Sequence, residues 1–190
     1  MKQTISALTF ELQALLDYLN ETGLALYVNS ILYSAERVTW APWQPGVGLI
    51  ANQRQHPRIS DYRGWIEAGM YSAMLSDGAL LQVTYEFDDG EVSKHRLAFV
   101  PSPFAMDPEL LKIEAAVDVL DVYLAGDTSE VSMVSTVRFD FDQAAATEEH
   151  PHSHLTFNST SCRIPCAAPL RLGHFVEFVY RNFYPEAWGA

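Results

Sequence analysis

Ala79-Leu80-Leu81-Gln82-Val83-Thr84-Tyr85-Glu86-Phe87-Asp88-Asp89-Gly90-Glu91-Val92-Ser93-Lys94-His95-Arg96-Leu97-Ala98-Phe99-Val100 is the stretch that decides the fold. Leu81, Val83, Tyr85 and Phe87 alternate with Gln82, Thr84 and Glu86, the pattern of a strand with one apolar and one wet face. Asp88-Asp89-Gly90 turns the chain into a second strand over 91–100. Two registers compete. A two-residue Asp89-Gly90 turn sets Lys94 and Arg96 opposite Tyr85 and Val83, on the apolar face. A three-residue loop with Gly90 left-handed pairs Leu81 with Leu97 and Val83 with His95. A one-residue slip moves every side chain to the other face, so the three-residue loop is adopted. It turns His95 inward and gathers Gln82, Glu86, Lys94 and Arg96 on the opposite face.

Helices flank this hairpin. Ile5, Leu8, Leu12, Leu15, Leu16 and Leu19 recur at helical spacing over 4–21, and Gly23 ends the run. Residues 24–33 fit either strand or helix. Trp40 to Gly48 holds two prolines and two glycines and reads as a loop pinned by Trp40 and Trp43, aromatics that are candidates for an exposed contact. Ser60, followed by Asp61, is placed to cap a short helix over 60–68. Pro101, Pro103 and Pro108 end the hairpin, and Asp107-Pro108 opens a helix expected to reach Leu120. Residues 131–142 return to strand, with Val137, Phe139 and Phe141 alternating with Arg138, Asp140 and Asp142. A further strand is expected near 153–159, and a last helix carries Leu172, Phe175, Val176, Val179 and Phe183 as its apolar stripe. The expected architecture is a single α+β domain over 1–190, an antiparallel sheet with helices packed on one face and N- and C-terminal helices.

Composition narrows function by exclusion. The 190 residues include ten Phe, nine Tyr and four Trp, and 48% are apolar, enough for a core without disulfide staples. The net charge is −12, and Asp107 to Glu149 holds eleven acidic residues against Lys112 and Arg138, a local −9. Such a field disfavours nucleic acid and anionic membranes. Arg54, His56, Arg58 and Arg63 form the one basic patch. A protein partner is expected and a membrane is not. Cys162 and Cys166 do not make a secreted disulfide framework. Met1-Lys2-Gln3-Thr4 starts no continuous apolar signal core, so a cytoplasmic location is expected. Phosphate-loop, dinucleotide and Gly-x-Ser-x-Gly signatures are absent.

Three constellations remain. His150-Pro151-His152-Ser153-His154 would bring three imidazoles to one side of an extended chain, and with Cys162 or Cys166 they would suit zinc. Pro151 and the unusual Cys-x3-Cys spacing oppose this, and the plain alternative is one buried, hydrogen-bonded histidine with the others exposed. Asp140 and Asp142 beside Arg138 would suit a hard divalent cation, or simply a solvated strand face. His150 and His154 would act as acid and base with Arg96 or Arg163 holding a phosphate, as in metal-independent nucleases, unless each arginine only makes a structural ion pair. No cofactor and no metal is expected.

Three stretches, read together, carry a family resemblance. They are Tyr71-Ser72-Ala73-Met74-Leu75-Ser76-Asp77-Gly78 running into Leu81-Gln82-Val83-Thr84-Tyr85; His95-Arg96-Leu97-Ala98-Phe99-Val100-Pro101 with Pro103; and Arg138-Phe139-Asp140-Phe141-Asp142 with His150-Pro151, His154-Leu155 and Arg163-Ile164-Pro165. Their order resembles the bacterial domain-of-unknown-function 2290 family over most of residues 60–185. The resemblance implies a bacterial protein from a mobile or defence-associated locus. The histidine segment is also similar to one in small toxin-like proteins. Matched residue by residue, the resemblance picks out Asp77, Arg96, Asp140, His150, His154 and Arg163, and leaves out His152, Cys162 and Cys166. The resulting expectation is a nuclease or toxin-like phosphodiesterase using His150 and His154. The alternative is a non-catalytic, acidic protein-interaction or regulatory subunit.

Overall fold

The computed structural model describes residues 4–41, 57–125, 133, 135–145, 147, 151–159 and 162–188. Helix α1 (Ile5–Glu21) starts where the Thr4 hydroxyl accepts from Ala7 N–H and stops before Gly23 at φ +71°. Residues 24–33 resolve into two short strands, β1 (Ala25–Val28) and β2 (Ile31–Tyr33), followed by β3 (Arg37–Trp40). Helix α2 (Ile59–Glu67) begins two residues earlier than Ser60 would allow as its cap. Arg58 is the capping residue, and the Asp61 carboxylate accepts its N–H at 2.7 Å. Strand β4 (Ala73–Leu75) leads into β5 (Leu80–Asp88) and β6 (Glu91–Val100). The helix opened by Asp107-Pro108 breaks at Glu114 into α3 (Pro108–Ile113) and α4 (Ala116–Tyr123). Strands β7 (Val137–Asp142), β8 (Ser153–Phe157) and β9 (Arg163–Pro165) precede α5 (Leu172–Phe183) and α6 (Pro185–Trp188).

The strands form one nine-stranded antiparallel sheet in the order β1-β4-β5-β6-β7-β8-β9, with β3 joining β2 to the far end of β5. The expected α+β class, with N- and C-terminal helices, is what the chain adopts. Pro165 sits in β9, at the edge of this order, where its missing N–H breaks no ladder.

The β5–β6 turn corrects the expected register. Asp89 (φ +48°) and Gly90 (φ +75°) form a two-residue turn with Asp88 opposite Glu91. Both positive φ values are those of the mirror-image turn that matches strand twist. The register then shifts between Glu86 and Phe87, leaving Ser93 as an extra residue, a β-bulge. Beyond it Tyr85 faces His95, Val83 faces Leu97 and Leu81 faces Phe99, rather than Leu81 facing Leu97. The bulge restores the parity that the turn alone would break. His95 therefore does point inward with Tyr85, and Arg96 lies with Thr84 on the other face.

The two faces are covered differently. Leu8, Leu12, Leu16 and Leu19 of α1 and Leu172, Phe175 and Val179 of α5 pack on Leu81, Val83, Tyr85, Leu97, Phe99, Val137 and Phe139. A second cluster joins α2, α3 and α4 to Met74, Leu80 and Val100, which face the other way at one end of the sheet. Trp40 belongs to the interior at 2% exposure, not to an exposed contact; Trp43 lies outside the described residues.

Candidate functional site

Alternation places Thr39, Gln82, Thr84, Arg96, Arg138, Asp140, His154, Thr156 and Arg163 on the face opposite α1 and α5. The sequence pattern predicts a wet face here. Instead Gln82, Thr84, Arg138, Asp140, His154 and Thr156 are all buried. A buried polar group must find partners or lose free energy. Several do: the Thr39 and Thr84 hydroxyls meet at 3.1 Å, and Gln82 Nε2 donates to Met70 O.

Arg96, Asp140 and His154 lie side by side on β6, β7 and β8, since Arg96 pairs with Asp140 and Asp140 with His154. Asp140 is the hub. Arg96 Nε donates to Oδ1 at 2.7 Å, and Arg138 Nε donates to Oδ2 from the same strand. Burial pushes the Asp140 carboxyl up, but Arg96 and Arg138 outweigh it and hold it below its ordinary value. Burial lowers Arg138, Asp140 opposes that, and Arg96 and Arg163 add to the lowering. An arginine starts so high that it stays charged. Among the described residues of this part of the face, two guanidiniums therefore flank one carboxylate, and Arg163, opposite Thr156, adds its charge beside Arg138.

His154 has a fixed orientation. Its Nδ1 is 2.8 Å from Pro151 O, and a carbonyl oxygen only accepts, so Nδ1 carries a proton. Nε2 then faces the arginine row, 3.5 Å from Asp140 Oδ2. His152 goes elsewhere. It is exposed and meets the edge of Phe141, which belongs to the opposite face. The two histidines diverge because β8 begins only at Ser153, so the chain between them does not keep strand alternation. Among the described residues, no group of three or more His, Cys, Asp or Glu side chains is placed to hold a metal. Asp142, the second acid of the strand, pairs with Lys94 at 3.0 Å.

The remaining candidates separate. His150 lies outside the described residues. Arg163 joins the cluster from β9, opposite Thr156. Asp77 does not: it sits in the turn between β4 and β5, accepting from Ala79 N–H and from the Tyr184 hydroxyl at 2.8 Å. Its role is to close that turn and tie down the end of α5. Gly78 beside it has φ +89° and abuts Tyr62 and Met106, which leaves no room for a side chain. In the basic patch, Arg63 is held by Asp121 and Glu67, and Arg54 and His56 lie outside the described residues.

Two contributors escape a sequence reading. Arg138 is visible on the face of Asp140 and Asp142, but nothing in the sequence marks it as a carboxylate partner within its own strand. Thr156 looks like an ordinary strand-former. Its place between Arg138 and Arg163 emerges only from the β7–β8–β9 register.

No described helix is long and apolar enough to cross a membrane. Nothing among curated proteins or solved structures matches the chain. The family model described as "Uncharacterized conserved protein (DUF2290)" matches residues 26–190, a span that includes every strand of the sheet except the first residue of β1. The chain belongs to the DUF2290 family of uncharacterised conserved proteins.

Proposed function

We propose that the chain acts on phosphodiesters, as a nuclease or toxin-like protein, through the polar face of its sheet. The observation that carries this reading is the set of His154: Nδ1–H is tied to Pro151 O, so Nε2 is presented to the row of Arg96, Asp140 and Arg138. Histidine exchanges protons near neutral pH. The arginines would neutralise the charge that builds on a phosphoryl group under attack. His150 is the second histidine of this scheme, one taking a proton from the attacking hydroxyl and the other giving one to the leaving oxygen. Asp140 positions the guanidiniums and the imidazole. The local excess of positive charge offsets the −12 of the whole chain where a phosphate would lie. A cytoplasmic setting in a bacterial mobile or defence-associated locus is part of the same reading. The test is cleavage of labelled single-stranded RNA and DNA by the purified chain. His154→Gln, and His150→Ala with His154→Ala, should each lower the rate at least a hundredfold. Wild-type rates in both variants would end the proposal.

One feature favours the non-catalytic reading. Leu110, Val119, Val122 and Tyr123 line a groove of about 360 Å³ on α3 and α4, edged by Glu114 and Asp118. Val122 is 73% exposed and nearby Ile113 75%. An acidic rim around exposed apolar side chains suits a basic, amphipathic protein segment. If Ile113→Glu with Val122→Glu abolished the cellular effect while His154→Gln spared it, this reading would replace the catalytic one.

A further inference from the structure

We infer that Arg138, Thr156 and Arg163 form an oxyanion subsite for the tetrahedral phosphoryl group of a phosphate ester. The inference deepens the phosphodiester reading and rests on it for the substrate class. It starts from the β7–β8–β9 register, which sets Arg138 opposite Thr156 and Thr156 opposite Arg163 on the same face. A hydroxyl thus stands between two guanidiniums, one rung along from the Asp140–His154 pair.

The hydrogen bonding is incomplete at these positions. Thr156 is 5% exposed, and its Oγ1 is buried with no partner. Arg163 Nε is also buried without a partner. Thr136, two residues before Arg138 and 4% exposed, has an unpartnered Oγ1 as well. Each such group forfeits the hydrogen bond it would make in water. On the same face the Thr39 and Thr84 hydroxyls pair with each other, and Gln82 Nε2 donates to Met70 O. Thr136 Oγ1, Thr156 Oγ1 and Arg163 Nε thus fall on positions next to Arg138 in sequence or register.

The chemistry of these atoms selects the ligand. Thr156 O–H and Arg163 Nε–H can donate, and Arg138 supplies buried positive charge already in tension with Arg96 and Arg163. A group that only accepts and carries negative charge satisfies all of them, and a phosphoryl oxygen does both. Asn158 Oδ1, buried and unpartnered nearby, is an acceptor and takes no part in holding an anion. Arg163 comes from the short edge strand β9, so one wall of the subsite lies at the rim of the sheet. Arg96 and His154 would meet the scissile side of the same phosphate, or its neighbour along a chain.

The experiment titrates inorganic phosphate into the full chain by calorimetry, at constant ionic strength in chloride. Saturable binding is expected. Thr156→Val, which removes one hydroxyl at constant shape, and Arg163→Gln should each weaken it about tenfold, while the exposed Arg181→Gln leaves it unchanged. The two variants act at sites of different burial, so a folding failure in one leaves the other decisive. Absent binding, or binding that neither variant weakens, or that Arg181→Gln weakens equally, overturns the inference. A second arm adds a short single-stranded oligonucleotide. If phosphate displaces it, the subsite takes diester phosphates; if the oligonucleotide does not bind while phosphate does, it takes free or terminal phosphate. Phosphate binding without any strand cleavage would sink the catalytic reading and leave the subsite standing.

Discussion

The two faces of one sheet reach burial by opposite routes. On one, α1 and α5 cover Leu81, Val83, Leu97, Phe99 and Phe139, and burial itself is the driving force. On the other, Arg138, Asp140, His154 and Thr156 are buried too, with Arg96 half-buried beside them, and burial is what must be offset. The apolar face needs only volume and shape. The polar face needs partners for its charges, and Arg96 and Arg138 share theirs in Asp140. A protein keeps such an arrangement against a simpler apolar one when the charges do something else, which is the physical ground for placing function on this face.

The sharpest way to break that contrast is to remove the hub. Asp140→Asn keeps the shape but leaves Arg96 and Arg138 facing one another without their shared carboxylate. Stripping one partner from a buried charge network costs about 3–5 kcal/mol. The urea midpoint should fall accordingly, with the same m-value if the fold is retained. A loss below about 1 kcal/mol would mean that Asp140 is not the keystone of the face.

The apolar face carries a buried imidazole, and it should give the next largest effect. His95 Nε2 accepts from Leu170 N–H at 3.0 Å, while its ring packs against Tyr85 and Phe141. Burial lowers its pKa from 6.5 to about 4, against a smaller upward pull from Asp140. The folded state thus binds a proton less readily than the unfolded chain. Stability from the neutral ring is fully present above pH 6.5 and is lost as pH falls from there toward 4. The whole window is worth roughly 3 kcal/mol. His95→Gln, which can still accept from Leu170, should flatten the decline between pH 7 and pH 4.5 measured by urea titration. An unchanged slope would show that His95 does not titrate with folding.

These residues also show what sequence can convey. Alternation over 79–100 establishes which side chains share a face, so Arg96 with Thr84 and His95 with Tyr85 are legible. Sliding one strand by two residues preserves every face, so alternation is blind to it. That is why Leu81 meets Phe99 and not Leu97: the turn is shorter than expected and Ser93 takes up the difference. The same blindness hides the subsite. Arg96, Asp140 and Arg163 stand out as charged residues at alternate positions, but Thr156 acquires meaning only once β8 is in register with both neighbours. Asp77 errs the other way. Its motif resembles a site, yet its carboxylate serves a local turn and Tyr184.

The smallest expected effect is the most discriminating. Thr156→Val removes a buried hydroxyl that has no partner in the free protein. Were Thr156 there for stability, the change would destabilise. If its hydroxyl is held in reserve for an anion, the valine should leave the free protein as stable as before, or up to about 1 kcal/mol more stable, because a desolvated and unpaired group has gone. Thermal melts without phosphate should therefore match or exceed wild type. Adding phosphate raises the melting temperature of whichever protein binds it, so the order should reverse at high phosphate. Val83→Thr is the mirror control, placing a hydroxyl on the apolar face where Val83 is 2% exposed and packed in the core. It should destabilise by about 1–3 kcal/mol at every phosphate concentration. A crossing of the melting curves for Thr156→Val, with none for Val83→Thr, is the signature of a hydroxyl kept for a ligand; parallel shifts in both would return Thr156 to the role of an ordinary strand residue.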